Sequence, residues 1–333
     1  MSKKSEIIGA VEIGTTTIKV VIGTFKRRKL SILGHAECPS AGVIKGTVTD
    51  FRAASTATAS ALLAAEHNAG VHIEKVLLAQ SGGHLDAYYD EAAVNIPGPH
   101  HLVGASDIET VCLLANGRTL PVGRQMVHQI RRPFRVNRKP IHNPEGRVGQ
   151  LLEVGYWSVH GQENKITDNV YVIRGFNLPV DALILSSLAA GTMVTPPEDR
   201  KRGALVIDIG GGTTDFALYR DGCAYMTGVL PVGGDHLTND LSLALRLTIK
   251  QAEKLKLRFG RATISTRSKK KEVWLNGDFA VGDRQFPLLA IERITAARID
   301  EIFRAVYQIV FFKLGRKQLD ADIVLTGGTS KLP

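Results

Sequence analysis

The chain has 333 residues, enough for two domains with real cores, and a composition 44% hydrophobic and 22% charged that excludes a wholly disordered polymer. Lysine and arginine outnumber aspartate and glutamate 42 to 32, a net charge of +10, which favours acidic partners (nucleotide, nucleic acid, acidic peptide, anionic membrane) but equally describes a solvated basic surface. Cys38, Cys112 and Cys223 are widely spaced and odd in number, against a disulfide framework; no apolar run reaches 18 residues and no signal peptide opens the chain, so the sequence reads as cytoplasmic.

Residues 7–12, 18–23 and 30–34 read as a three-strand meander with turns at Gly14-Thr15-Thr16 and at the basic run 26–29. Residues 51–69 are alanine-rich and helical, ending at Gly70. Residues 76–80 form a buried strand closed by Ser81-Gly82-Gly83. From about 85 to about 161 proline, arginine and histidine become more frequent, as in an inserted subdomain. There, Ser106-Asp107-Ile108-Glu109 is a capping box that opens a helix with Ile108, Val111, Cys112 and Ala115 on one face. Strands follow near 126–136 and 150–160. The arginines of 131–138 with Lys139 read as a solvated strand face, and His100-His101 lacks partners at zinc-ligand spacing. Next, 170–174 reads as a strand, 180–190 as a helix and 198–203 as a charged connector. Residues 204–208, 216–219 and 224–230 form a second meander, followed by helices at 236–247 and 250–259. Lys269-Lys270-Lys271 precedes a hairpin of 272–275 and 279–281 around Asn276-Gly277. Residues 290–314 form one long helix, and the strand 323–325 opens onto Thr326-Gly327-Gly328-Thr329.

Glu12-Ile13-Gly14-Thr15-Thr16 and Asp208-Ile209-Gly210-Gly211-Gly212-Thr213-Thr214 repeat one design 196 residues apart. The repeat points to duplicated α/β halves with a cleft between them. Glycine lets backbone N–H groups approach phosphate oxygens, and threonine hydroxyls add donors. A carboxylate at a strand end suits hydrated Mg²⁺, and Lys19 suits a phosphate as a point charge. Gly327-Gly328 offers a surface for a flat purine. Gly233-Gly234 enters a helix, whose N-terminus favours anions. Glu253 and Lys256, three apart on one helix, also read as an ordinary surface ion pair.

Three such turns in this order are far more specific than one. Here the sequence resembles the actin-like ATPase superfamily and, within it, the FtsA family of bacterial cell-division proteins. The FtsA resemblance rests on residues 41–50, 80–84, 232–240 and 252–256 with Gly260, and covers essentially the whole chain. It implies an α/β, actin-like fold: two duplicated RNase H-type halves around a nucleotide cleft, with an FtsA-type inserted subdomain. Residues 1–84 and 162–202 would form the first half, 85–161 the insert and 203–333 the second half, with 236–289 its small subdomain and the C-terminus truncated.

The resemblance further implies ATP with Mg²⁺. Its phosphates would lie among Glu12, Gly14, Thr15, Thr16 and Lys19 on one side and Asp208, Gly210, Gly211, Gly212, Thr213 and Thr214 on the other. Gly233, Gly234, Gly327 and Gly328 would complete the site, with Glu253 and Lys256 at ribose or adenine positions and Mg²⁺ held through water by Glu12 and Asp208. The implied function is an ATP-binding scaffold that assembles into filaments and recruits FtsZ to the membrane at the division septum, with ATP hydrolysis weak or absent. FtsZ's C-terminal tail would dock within 236–289, where Lys250, Lys254, Arg258 and Arg261 suit an acidic peptide; each also reads as a solvated helix face. Downstream septal membrane proteins are further implied partners, and nucleic acid is not. The expected location is the inner face of the cell membrane at the division site, reached through a C-terminal helix beyond Pro333.

Two residue choices depart from the family pattern. Glu12 stands where aspartate is usual, and Ser186-Ser187 stands where the connector helix of actin-like ATPases often carries an acid or amide. Two alternatives stay open: a pilus-assembly-type actin-like ATPase, and a small-molecule kinase of the superfamily, for which only Asp208 and Asp215 are in place.

Overall fold

The computed structural model describes residues 6–26, 29–265, 268, 271–275, 284–315 and 320–333. The chain opens with β1 (Ile7–Ile13), β2 (Thr17–Lys26) and β3 (Lys29–Pro39), an antiparallel meander that sets Glu12 opposite Lys19. Ile18, Val20 and Ile22 are buried while Lys19 and Val21 between them are exposed, the alternation of a half-covered strand. A short ribbon, β4 (Val43–Ile44) and β5 (Thr47–Val48), leads to α1 (Phe51–Ala69). Asp50 caps α1, accepting from Ala53 N–H at 3.0 Å. Its small buried residues Ala54, Ala61 and Ala65 pack on Val11, Val20 and Ile22. β6 (Lys75–Gln80) then adds parallel to β1.

A second sheet follows, built from β7 (Asp86–Asn95), α2 (Ala105–Ala115) against one face, β8 (Arg124–Arg131), β9 (Phe134–Val136), β10 (Lys139–Ile141) and β11 (Leu151–Gln162). Strand order is β10-β9-β11-β7, with β8 also on β11. Val111, Ala115, Phe134, Leu152 and Val154 make its own core. The chain returns through α3 (Glu163–Arg174) to β12 (Val180–Leu185), parallel to β6, completing the first sheet as β12-β6-β1-β2-β3.

After α4 (Ser186–Val194) and α5 (Pro197–Arg202), a second meander of β13 (Ala204–Ile209), β14 (Thr214–Arg220) and β15 (Cys223–Leu230) begins the third sheet. Next come α6 (Gly234–Leu245), α7 (Ile249–Phe259), the paired strands β16 (Glu272–Leu275) and β17 (Arg284–Pro287), and α8 (Leu288–Leu314). β18 (Asp322–Thr326) then joins parallel to β13. The expected repeat is thus present in three dimensions: a meander whose first strand takes a later parallel neighbour, β6 in one half and β18 in the other. Among the described residues no helix is long and apolar enough to cross a membrane.

The inserted sheet shares a core with the second half. Trp157 and Val159 of β11 pack among Leu205, Phe216 and Leu218 and the α8 residues Ile302 and Val306. Trp157 Nε1 donates to Thr227 Oγ1 at 3.1 Å. Arg132 is a correction to the reading of 131–139 as a solvated strand face. Its guanidinium lies between the rings of Tyr89 and Tyr225, 3.8 and 3.4 Å from their centroids, and donates to Tyr225 O at 2.9 Å. Desolvated cation–ring contacts of this kind contribute about 1–2 kcal/mol each.

Other local expectations shift. Residues 170–174 are the end of α3, not a strand: Ile166, Asn169, Val172 and Ile173 are buried at helical spacing. Residues 180–185 are strand β12, not helix, because β6 offers a parallel partner; the helix starts only at Ser186. Residues 197–202 are helical rather than a plain connector. The cap of α2 lies two residues early: Asp107 accepts from Gly104 N–H at 2.9 Å, and Ser106 already sits inside the helix. The strand paired with 272–275 is 284–287; Asn276-Gly277 and 279–281 lie outside the described residues, as do Lys269 and Lys270.

His84, at the entry to the insert, is buried, and neither ring nitrogen has a partner among the described residues. Burial, then Arg124 and Lys165, hold its pKa down at about 4. The unfolded chain therefore binds a proton near pH 6.5 that the folded chain refuses, so this contribution is complete above pH 6.5 and is lost as pH falls toward 4. In thermal unfolding from pH 7 to pH 4, His84→Gln should lose less stability than the wild type, with the gap opening below pH 6.5. Parallel curves would remove His84 as the cause.

Candidate functional site

The turn after β1 and the turn after β13 enter one cleft of about 450 Å³ from opposite sides. They meet closely: a Cβ at Gly211 would lie 1.9 Å from Thr16 Oγ1. Thr15 Oγ1 accepts from Gly46 N–H at 3.0 Å, fixing the first turn. The second is braced on three sides. Gly210 N–H closes it on Thr213 O at 2.9 Å, and Gly234 and Asp235 N–H, opening α6, donate to Gly210 O and Gly211 O at 2.9 and 2.8 Å. Thr329 Oγ1, after β18, also donates to Gly210 O at 2.9 Å. This bracing leaves the Gly211 and Gly212 N–H groups for a ligand. Gly233 permits it, since a Cβ there would lie 2.6 and 2.7 Å from the Gly211 and Gly210 oxygens.

Charge is concentrated here. Lys19 Nζ lies 3.3 Å from Glu12 Oε2. Burial opposes the Lys19 charge, but Glu12, with Glu37 and Asp208 beyond it, moves the lysine's pKa upward overall. Asp208 faces Asp215 across β13 and β14. Burial, with Glu12 adding to it, raises Asp208 to about 6 against the pull of Lys19. Burial raises Asp215 to about 7 although Ser81 Oγ and Thr213 Oγ1 donate to its Oδ2 at 2.7 and 3.0 Å. Glu12, Asp208 and Asp215 against one lysine is an arrangement that a cation relieves. Among the described residues no three His, Cys, Asp or Glu side chains converge to hold a metal directly.

Beside the second turn, Lys256 corrects the surface-pair reading. It is buried, with Nζ 3.1 Å from Gly234 O and 2.7 Å from Glu253 Oε2, while Glu253 also accepts from Thr238 Oγ1. Of the residues expected at the site, Glu12, Gly14, Thr15, Thr16, Lys19, Asp208, Gly210, Gly211, Gly212, Thr213, Gly234, Glu253, Lys256, Gly327 and Gly328 line the cleft. Thr214 does not: it is fully buried and donates to Val232 O at 2.8 Å. Gly233 lies beneath the turn rather than in the wall. Ser81, Asn169 and Ser186 line the cleft without having been singled out for it. Ser81 had a visible signal, the serine-glycine-glycine closing a strand; Asn169 had none, lying just before the segment 170–174 that reads as a strand.

The residues fit a nucleoside polyphosphate with a hydrated divalent cation. Two turns offer backbone donors, Lys19 and Lys256 offer positive charge, and Glu12 and Asp208 stand at adjoining strand ends.

Lys250, Lys254 and Arg258 form one exposed stripe along α7, each four residues from the next. Arg261 is exposed but engaged, its Nε 3.3 Å from Oε1 of the fully buried Glu292.

A family model described as Cell division protein FtsA matches residues 205–333, and one described as an SHS2 domain inserted in FtsA matches residues 82–160. The chain is 30% identical to the cell division protein FtsA of Neisseria meningitidis serogroup B, over 100% of this chain and 80% of that protein. It is 29% identical to FtsA of Pseudomonas aeruginosa, over 99% and 79%. Among solved structures it resembles a PilM-PilN type IV pilus biogenesis complex (TM-score 0.62, 18% identity, 98% of this chain and 82% of that one). It also resembles MreB 5 of Spiroplasma citri bound to AMPPNP (TM-score 0.53, 14% identity, 99% and 86%). The fold is that of the actin-like ATPases, with the insert in the FtsA position.

Proposed function

The chain belongs to the FtsA family of cell-division proteins, and from that premise we propose that it is a nucleotide-binding scaffold that recruits FtsZ to the membrane at the division septum and assembles into filaments. The observation that carries the nucleotide half is the braced glycine turn at 210–213, closed against Thr16 and backed by Gly233, with Lys256 buried beside it. ATP would lie with its phosphates between the two turns. Mg²⁺, held through water by Glu12 and Asp208, would offset the like charges of the phosphates and carboxylates. The connector begins with Ser186-Ser187 and offers no carboxylate base, so ATP acts here as a switch of assembly state more than as a substrate for turnover.

The scaffold half rests on α7. Its Lys250, Lys254 and Arg258 stripe borders exposed Ile249, a mixed basic and apolar face suited to an acidic peptide with apolar side chains. The acidic C-terminal tail of FtsZ is the proposed occupant. Titration calorimetry of that tail peptide, from the same organism, into the folded chain tests this. We expect saturable binding that Lys250→Glu with Lys254→Glu weakens at least tenfold, about 1.4 kcal/mol. Unchanged affinity in the double variant moves the site elsewhere; no binding to folded wild type sets the adaptor reading aside.

A further inference from the structure

One wall of the cleft is built from residues that no motif assigned. β6 and β12 end in register, Gln80 beside Leu185, so Ser81 and Ser186 leave the sheet side by side at the inner edge of the cleft. Asn169, from the middle of α3, reaches the same edge. It is 3% exposed, and its Nδ2 donates to Gln80 Oε1 at 3.2 Å. Three buried polar atoms here have no partner among the described residues: Asn169 Oδ1, Gln80 Nε2 and Ser186 Oγ. Leaving such groups unpaired is costly, so this wall suits completion by something polar. Rotating both amides by half a turn keeps the Asn169–Gln80 bond and presents N–H in place of C=O to the cleft. The wall can thus donate to an anion or hold a bridging water without losing its own support. Ser81 Oγ ties it to the second turn through Asp215 and Thr213.

Direction follows from the rest of the lining. Leu257 on α7 and Leu332 after β18 add apolar lining from the second half, suited to a flat base, while Asn169 and Ser186 line the cleft from α3 and α4. A nucleotide with its base against the former and its phosphates between the two turns would turn its last phosphate toward the latter.

Resting on the nucleotide reading above, we propose that Asn169 and Ser186 form a terminal-phosphate subsite, contacting the third phosphate directly or through one water and so distinguishing nucleoside triphosphate from diphosphate. The amide that the connector lacks at Ser186 is supplied from α3.

The test is calorimetry of AMPPNP and of ADP, each with Mg²⁺, on the full chain and on Asn169→Asp and Ser186→Ala, with thermal unfolding to check each fold. We expect Asn169→Asp to raise the Kd of the triphosphate roughly tenfold or more, about 1.4 kcal/mol, and that of ADP less than threefold. Ser186→Ala should move the ratio the same way by a smaller factor, and it decides alone if the aspartate variant does not fold. An unchanged ratio, or an equal loss for both nucleotides, overturns the subsite while leaving nucleotide binding in place. Wild-type protein that binds neither nucleotide overturns the nucleotide reading and the subsite together.

Discussion

Gly233→Ala should weaken nucleotide binding at least hundredfold while leaving the protein folded. The residue has φ −164° and ψ −157°, extended backbone open to any side chain, so the penalty comes from space alone. An added methyl would meet two carbonyl oxygens, at 2.6 and 2.7 Å. Those oxygens belong to Gly211 and Gly210 and already accept from Asp235 and Gly234 N–H. Backbone on both sides means that no side-chain rotation relieves the clash. Either the turn or the start of α6 must move by several tenths of an ångström, and a binding constellation tolerates roughly 0.5 Å. The turn would also be pushed toward Thr16, where Gly211 has no room. Fluorescent-nucleotide titration with thermal unfolding checks this. Gly117→Ala, at an exposed glycine with no atom closer than 3.4 Å to the added methyl, serves as control and should bind as wild type does. Wild-type affinity in Gly233→Ala would show that the turn at 210–212 does not hold the phosphates.

Trp157→Ala should destabilise the protein by about 3–5 kcal/mol, the range for removing a large aromatic from a core. Trp157 is 3% exposed, sits in the core shared by the insert and the second half, and lies under Lys313, whose Nζ is 5.0 Å from the ring centroid. Its loss also strips the buried Thr227 hydroxyl of its donor, adding about 1 kcal/mol within that range. Trp157→Phe separates the two effects: it keeps most of the packing and should cost closer to 1–2 kcal/mol. The sequence has two tryptophans, and the other, Trp274, is exposed on β16. Because both Trp157 variants remove the buried ring, urea unfolding followed by far-ultraviolet circular dichroism, which needs neither tryptophan, measures each cost. A cost below about 1 kcal/mol for Trp157→Ala would mean that the insert is held mainly by Arg132 and its two tyrosine rings.

Much of this molecule is legible in the linear chain because the features concerned are local. A strand ending in Glu12-Ile13-Gly14 and another in Asp208-Ile209-Gly210 declare themselves through apolar runs stopped by glycine. The meanders follow from alternating burial such as Ile18, Val20 and Ile22. The cleft-lining residues on those turns were found because a glycine-rich turn carries its chemistry in its own backbone. Errors arose where a second element decided the outcome. Residues 170–174 are rich in β-branched side chains and alone fit a strand; they are helical because Val172 and Ile173 face the first core on the same helix that buries Ile166 and Asn169. Residues 180–185 became a strand because β6 stood ready to pair with them.

The sequence by itself determined the duplicated design and the glycine turns, since each strand–turn unit depends on neighbours within a few residues. Tertiary structure alone decided which polar side chains share the cleft. Asn169 and Gln80 meet across 89 positions and Ser81 and Asp215 across 134, and Thr214 turned into the core beside residues that face the ligand space. Lys256 became a buried cleft residue and Arg132 a clamp between two tyrosines for the same reason: burial, and the partner that makes a buried charge tolerable, come from segments remote in the chain.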